Sequence, residues 1–257
     1  MFPELAFTGY IFKNQEDIKP YCEEQKQGQQ YKFLSQLAKR LFSYVFAGYP
    51  EIQIQSDNSQ KYYNSAYLID RDGNLIINYR KKHLFESDKT WAQEGQEFKC
   101  VELLNLENKT FKAGLGICMD INPYEFLNCQ QFELSDFCKE QQIDVLLFLS
   151  AWNDHEPNRN DRNSIEGQLN YWLWRLRTII NQKKEINFNK TTFDCRNLEI
   201  TEWLPMLSVC VVAKETGTVF NECDLSDLPW CDYDEKSEQT VQINVFGQLI
   251  NRNNKLK

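Results

Sequence analysis

Three residues of this chain could carry out nucleophilic chemistry together. Cys118 stands where the apolar run Phe111–Ile117 gives way to the polar segment MDINPYEF, in which Pro123 forbids continuation as a strand. Lys81 ends the strand-like NLIINYR within NYRKKHLF, and Glu4 is a lone carboxylate among apolar neighbours in MFPELAFTGY. A thiol is a weak nucleophile until it is deprotonated, so it needs a base and a nearby positive charge. Glu4 can take the proton. Lys81 can stabilise both the thiolate and the oxyanion formed by attack on an amide carbonyl, and the backbone N–H of Met119 is a natural second oxyanion donor. Each residue alone has a plainer reading. Buried cysteines are mostly small core hydrophobes, lysines are mostly solvated, and a carboxylate near a terminus can cap a turn.

The elements that would position these residues follow from periodicity. Tyr31, Leu34, Leu37, Leu41, Phe42 and Val45 form a helical stripe, with Gly48 and Pro50 as its stop. Glu51–Gln55 alternates like a half-buried strand. Ala66–Asp70 and Asn74–Tyr79 flank Arg71-Asp72-Gly73, a hairpin signal. Phe111–Ile117 and Ile143–Leu149 read as buried strands around a helix spanning Gln130–Gln142. Ile165, Leu169, Trp172, Leu173, Leu176 and Ile180 make a second helical stripe. Met206–Ala213 and Val241–Val245 return to strand, and Asn181–Pro205 reads as a surface excursion. Strands and helices interleave without an internal repeat, so residues 1–257 are expected to form one α/β layered domain.

Composition narrows the partners. A net charge of −8 disfavours a nucleic-acid duplex or an anionic membrane surface, and no apolar run approaches bilayer length. No secretory signal precedes the first strand-like segment, and the nine cysteines are odd in number with no Cys-x-x-Cys, which points to reduced thiols in the cytoplasm. Only His83 and His155 could support a Cys/His metal site. Cys223 and Cys231 are the nearest thing to a ligand pair, and their spacing is wide for structural zinc, so no metal is expected.

FPELAFTGY, YRKKHLF and GLGICMDINPYEF, in this order, resemble the three signature segments of the carbon–nitrogen hydrolase (nitrilase) superfamily. The resemblance implies a four-layer αββα sandwich and a Glu-Lys-Cys triad at Glu4, Lys81 and Cys118, working through a thioester with no cofactor. It also implies a supporting role for Glu86, at the place of a second glutamate that steadies the lysine. SAWN (Ser150–Asn153) and LNYWLWRLR (Leu169–Arg177) look like the strand end and long helix that follow. CMDINPYEF with LNYWLWRL is most similar to the protein N-terminal amidase branch, which converts N-terminal Asn or Gln to Asp or Glu. On that reading protein or peptide N-termini are the substrates, and Asp120 and Glu125 are candidates to bind the α-ammonium. A small-molecule ω-amidase-like hydrolase is the competing activity.

Two departures qualify these expectations. The resemblance implies a strand–helix–strand ahead of the Glu4 segment, which is not present before Met1, so the fold is expected to lack that unit and Glu4 to sit on a frayed end. Beyond the strand at 206–213, AKETG and FNECDLSDLPWCDYDEK depart from the family's Gly-Ser-rich segment, near where substrate is chosen. A non-catalytic nitrilase-fold interaction or assembly subunit is therefore the alternative in another class. Dimerisation through helix faces, with Tyr171, Trp172 and Trp174 on one of them, is a further expectation of the resemblance.

Overall fold

The computed structural model describes residues 1–152, 171–172 and 174–180, and the backbone of short strands at 208–213, 241–243 and 249–251. A short helix α1 (Gln15–Ile18) precedes the amphipathic α2 (Gln29–Leu41), and three strands follow: β1 (Val45–Ile54), β2 (Gln60–Ile69) and β3 (Leu75–Arg80). These three form an antiparallel meander. The second sheet runs β4 (Lys99–Leu104), β5 (Thr110–Ile117), β6 (Val145–Ser150) and β7 (Ser208–Ala213). β5 and β6 are parallel, joined through α3 (Glu133–Glu140), while β4 and β7 are antiparallel to their neighbours. A further helix, α4 (Arg177–Ile180), packs against α3, and β8 (Val241–Ile243) pairs with β9 (Leu249–Asn251).

Side-chain alternation makes layers of these elements. Val45, Ala47, Tyr49, Tyr67 and Ile69 point to one side of the first sheet, where they pack with Leu34 and Ala38 of α2. Phe46, Ala66 and Leu68 point the other way, into a core shared with Ala113, Leu115 and Ile117 of β5 and Leu147 and Leu149 of β6. On β5, a Cβ at Gly114 would stand 2.8 Å from Ile143 and 3.2 Å from the Cys138 sulfur, and one at Gly116 would stand 3.0 Å from Leu134. The missing side chains let α3 lie close against the second sheet. The order is helix, sheet, sheet, helix.

The hairpin forms as its sequence predicts, with Gly73 at φ +78° and Asp70 accepting from the backbone of both Asp72 and Asn74. The amphipathic helix α2 stops differently than its sequence predicts. Phe42 adopts the left-handed conformation at φ 48°, and its N–H reaches the carbonyls of Ala38 and Lys39. Gly48 and Pro50, expected as helix breakers, lie inside β1. Its side away from β2 accepts the N-terminal segment instead of another regular strand, so a proline there interrupts no ladder.

That segment is not frayed. The Phe2 N–H donates to the Phe46 carbonyl at 2.9 Å, and Phe2 bridges Ala47 in parallel. Leu5 is buried with Phe12, Ile18, Tyr62 and Trp91 in a small core of its own. Gly48 is what lets this backbone come so close. A Cβ there would lie 2.8 Å from Glu4 Cα, Leu5 N and the Pro3 carbonyl, all of them main chain. The expected outcome of Gly48→Ala is therefore a loss of about 1–3 kcal/mol, the usual cost of forcing volume into a closed contact. Urea unfolding would measure it, and an unchanged midpoint would show that the Pro3–Leu5 backbone does not press on β1.

Candidate active site

Lys81 follows β3 and is fully buried, a placement lysines tolerate only when paired. Its backbone is fixed on both sides: its N–H donates to the Asn64 carbonyl at 2.8 Å and its own carbonyl accepts from Gly95 at 2.8 Å. The ammonium donates to Glu4 Oε1 at 2.6 Å and to Asp88 Oδ2 at 2.6 Å. Burial by itself would lower the proton affinity of Lys81, but Asp88 and Glu4 outweigh it and hold the ammonium well above its ordinary pKa. Tyr10 lays its ring 5.9 Å from the same nitrogen.

Glu4 is likewise buried. Oε1 accepts from Lys81 and, at 2.8 Å, from the Asn64 amide, while Oε2 accepts from the Ala151 N–H at 3.0 Å just past β6. Burial raises its pKa, Lys81 opposes the rise, and the Asp88 charge adds to it. The contact with Lys81 that the family resemblance implies for Glu86 is made by Asp88 instead. Glu86 is exposed, whereas Asp88 opens a 3₁₀ turn (Asp88–Thr90) whose geometry turns its carboxylate back onto Lys81, with Phe85 N–H donating to it at 3.0 Å. Asn64, which the sequence reading passed over, donates its amide to Asp88 Oδ1 at 3.1 Å as well as to Glu4.

Cys118 begins a 3₁₀ turn, Cys118–Ile121, directly after β5, and is buried at φ 42°. A non-glycine residue in the left-handed region is strained by about 1–2 kcal/mol, and the bend aims the side chain out of the strand's alternation. Burial, and then the Glu4 charge, push the thiol's pKa well up, with Lys81 pulling the other way. Burial and the Glu4 charge thus favour the neutral thiol over the thiolate. Ser150, at the end of β6, also favours the thiolate, although its hydroxyl makes no hydrogen bond of ordinary length. Met119 is buried next to the thiol, leading the turn whose N–H groups follow it.

Asp120 does not face substrate. Oδ2 accepts from the Tyr79 hydroxyl at 2.6 Å and the Ile117 N–H at 2.8 Å, and Oδ1 from the N–H groups of Lys82 at 3.0 Å and His83 at 2.8 Å. Four donors fill a fully buried carboxylate and leave no lone pair for an ammonium. The same four bonds tie the cysteine's turn to the segment behind the lysine. Glu125 is exposed, at φ 48°, and pairs with Lys89. Around that loop, His83 Nδ1 meets the Asn122 carbonyl at 2.9 Å, and the Tyr124 N–H donates to Glu133 at 2.9 Å. Arg175 ties the loop down from behind, donating to the carbonyls of Ile121 and Cys129 at 2.9 and 3.0 Å and to that of Gln131. Tyr171 and Trp174 pack ring to ring at 6.2 Å, while Trp172 is buried in the main core.

A buried acid and lysine in contact, with a strained cysteine in their field, sit in the part of the chain that a family model described as Carbon-nitrogen hydrolase covers, residues 1–128. Residues 1–128 belong to the carbon–nitrogen hydrolase family. The chain is 35% identical over 167 residues to the protein N-terminal amidase of Saccharomyces cerevisiae, covering 59% of this chain and 36% of that protein. It is 29% identical over 256 residues to the protein N-terminal amidase of Schizosaccharomyces pombe, covering 87% of this chain and 86% of that protein. A crystal structure of an N-terminal amidase with an Asn-Glu-Ala peptide superposes with a TM-score of 0.55 at 29% identity, covering 70% of this chain and 44% of that one. The chain thus spans little more than a third of the S. cerevisiae protein and under half of the crystallised one.

A second family model, described as CXXC motif containing zinc binding protein, eukaryotic, matches residues 175–250. The cysteines in that span are Cys195, Cys210, Cys223 and Cys231, and no two cysteines of the chain are separated by two residues. The paired thiols that such a motif supplies are therefore missing from this chain. Among the described residues no group of three or more His, Cys, Asp or Glu side chains stands together to hold a metal, and no helix is long and apolar enough to cross a membrane.

The ammonium of Lys81 neutralises a pocket that otherwise holds two dry carboxylates. Lys81→Met is expected to cost about 3–5 kcal/mol, because Glu4 and Asp88 are left facing each other without a counter-charge. Adding Asp88→Asn to that variant should recover part of the loss. Equal stability of the single and double variants would show that the carboxylates are not coupled through the lysine.

Proposed function

We propose that the chain is a thiol amidohydrolase acting on N-terminal Asn and Gln of peptides and proteins, with Glu4, Lys81 and Cys118 as its reacting groups. The observation that carries the mechanism is the pair of 2.6 Å bonds from Lys81 to Glu4 and Asp88, which leaves the buried trio with one excess negative charge. That charge makes Glu4 a proton acceptor, and the protonated thiol of Cys118 is the donor in reach of its field.

The cycle would run in two halves. Glu4 takes the thiol proton as the Cys118 sulfur attacks the side-chain amide carbon, and the C=O electron pair moves to oxygen. Two of the three ammonium N–H groups of Lys81 are bound to carboxylates, so the third is free to meet this oxyanion together with the Met119 N–H. The oxyanion collapses, the C–N bond breaks, and ammonia leaves with the proton from Glu4. Water then gives its proton to Glu4 and adds to the thioester. Expulsion of the sulfur returns the proton to Cys118 and frees the acid. No metal or organic cofactor enters any step. Every residue in these roles lies between positions 4 and 151, so the chemistry does not draw on the span 175–250.

The substrate assignment is supported by the N-terminal amidases this chain resembles, whose structures include complexes with Asn-Glu, Asn-Glu-Ala, Gln-Val and Gln-Gly peptides. An N-terminal residue needs an acid for its α-ammonium. With Asp120 saturated, we assign that role to Glu125, exposed on the loop after the nucleophile, where an arriving ammonium would replace Lys89. A cytoplasmic protein substrate pool and a homodimer or assembly partner accord with this reading.

Mass spectrometry of short peptides beginning with Asn or Gln tests the assignment. The chain should add about one mass unit by replacing an amide with an acid, and Cys118→Ala should abolish the gain by at least about a thousandfold. Acetylation of the peptide N-terminus should abolish it too. Hydrolysis of small ω-amides alone would replace the N-terminal reading with an ω-amidase one, and silence toward every amide would favour a non-catalytic binding role. Glu125→Gln is expected to raise KM about tenfold or more while leaving kcat nearly unchanged, since it removes a charge-assisted contact made equally in ground and transition states. An unchanged KM would remove Glu125 from the site.

A further inference from the structure

Asn64 lies in the middle of β2, in KYYNSAYLI, and is fully buried. Its amide nitrogen donates to two carboxylates at once, to Glu4 Oε1 at 2.8 Å and to Asp88 Oδ1 at 3.1 Å. Lys81 Nζ donates to the same two carboxylates. Two donors and two acceptors thus close a ring, Glu4–Lys81–Asp88–Asn64. The Asn64 side-chain oxygen Oδ1 is buried without a hydrogen-bond partner among the described residues. A buried amide that leaves its acceptor unmet to place both protons on carboxylates is held there for those protons, because an unmet buried acceptor itself costs stability. The backbone joins the same ring, since the Asn64 carbonyl accepts the Lys81 N–H.

We propose that Asn64 is the positioning residue that keeps Glu4 ionised and aimed as the proton acceptor, by supplying the second donor that the lysine alone cannot provide. The inference rests on the hydrolase reading for its catalytic consequence but not for its effect on Glu4. Two carboxylates that share one ammonium repel each other, and the pair relieves this by taking up a proton. A proton on Glu4 would disable it as a base. Asn64 opposes that uptake with a neutral donor to each carboxylate, and adds no charge that would compete with the Lys81 N–H reserved for the oxyanion. Among the described residues, the charged and titratable groups facing Glu4 are Lys81 after β3, Asp88 from the 3₁₀ turn, Tyr10 from the N-terminal segment and Cys118 after β5. β2 contributes only Asn64, and the end of β6 only the Ala151 N–H.

Two readouts on the whole chain separate this inference from the function itself. The first is a carbon-13 NMR titration of the glutamate and aspartate side-chain carboxyls in the parent chain and in Asn64→Leu, which is similar in size and has no donor. The Glu4–Asp88 pair should take up its first proton on the order of one pH unit higher in Asn64→Leu. An unchanged titration overturns the proposal whether or not the chain hydrolyses anything. The second is the pH profile of kcat/KM on an N-terminal Asn peptide. Its acidic limb should move to higher pH by a similar amount in Asn64→Leu, with activity recovering toward the parent on the alkaline side. A uniform loss at every pH would make Asn64 merely structural. Should Asn64→Leu fail to fold, Asn64→Ser keeps one donor and is expected to shift both readouts in the same direction by less. A serine variant indistinguishable from the parent in both would equally overturn the proposal.

Discussion

A single ammonium between two carboxylates, all three out of water, sets the terms for everything around it. Each ion in such a place loses hydration worth several kcal/mol, and only close, well-aimed partners make the loss tolerable. Lys81, Glu4 and Asp88 meet that condition with 2.6 Å contacts, and Asn64, Phe85 and Ala151 supply the remaining donors. The arrangement does not cancel its own charge. One negative unit is left over, and in a dry pocket it must be spread over fixed dipoles or removed by a proton. A pocket with equal numbers of acids and bases would be more stable and would have no proton acceptor. The imbalance is a structural burden and, on the proposed mechanism, also the source of the chemistry.

The backbone irregularities follow from where these groups come from in the chain. Glu4, Lys81, Asp88 and Cys118 arrive on four separate segments, and no regular element carries two of them toward one point. The glutamate comes in on an irregular stretch that needs Gly48 beneath it. The aspartate turns back through a 3₁₀ turn, and the cysteine leaves β5 by a left-handed residue. The strain at Cys118 is held by Asp120, which accepts from Ile117 on one side of the thiol and from Lys82 and His83 behind the lysine. One carboxylate fixes both the angle of the nucleophile and its distance from the cation. Removing the side chains of Glu4, Lys81 and Cys118 would leave that clamp intact, while loosening the clamp would scatter them.

Glu4, Lys81 and Cys118 could be singled out because each breaks a local pattern: an acid among apolar residues, a lysine at a strand end, a cysteine before a proline-bearing turn; the structure puts the first two in contact. The Arg71-Asp72-Gly73 hairpin and the strands at Phe111–Ile117 and Ile143–Leu149 were legible for the usual reasons of turn chemistry and apolar runs. Asp88 was not, because a difference of two residues from Glu86 depends on a turn whose handedness no periodicity records. Gly48 and Pro50 misled for a related reason. As local signals they stop helices, and only the tertiary approach of Pro3–Leu5 explains a glycine in that strand. Asp120 looked like a ligand because it is an acid beside a nucleophile, and nothing local shows that four donors from three segments already fill it. Asn64 did leave a signal, a polar amide inside an apolar alternation. The expected helix over 165–180 is described only in part, and the 181–205 excursion lies outside the described residues.

Saturation also decides where recognition can occur. Every acceptor on Asp120 is used, Glu4 accepts three hydrogen bonds, and Asp88 accepts from Lys81, Asn64 and Phe85. These buried acids can hold a proton or a geometry, but binding a ligand's ammonium would require breaking bonds that keep the pocket assembled. On the proposed function, selectivity for a charged terminus would come from groups that exchange partners at low cost, which are solvated ion pairs at the rim. Lys89 and Glu125 are such a pair, both about two-fifths exposed, and exposed pairs are worth only about 0.2–1 kcal/mol. An incoming ammonium therefore has little to displace. On the proposed function, the interior fixes the reaction and the rim is left to choose the substrate.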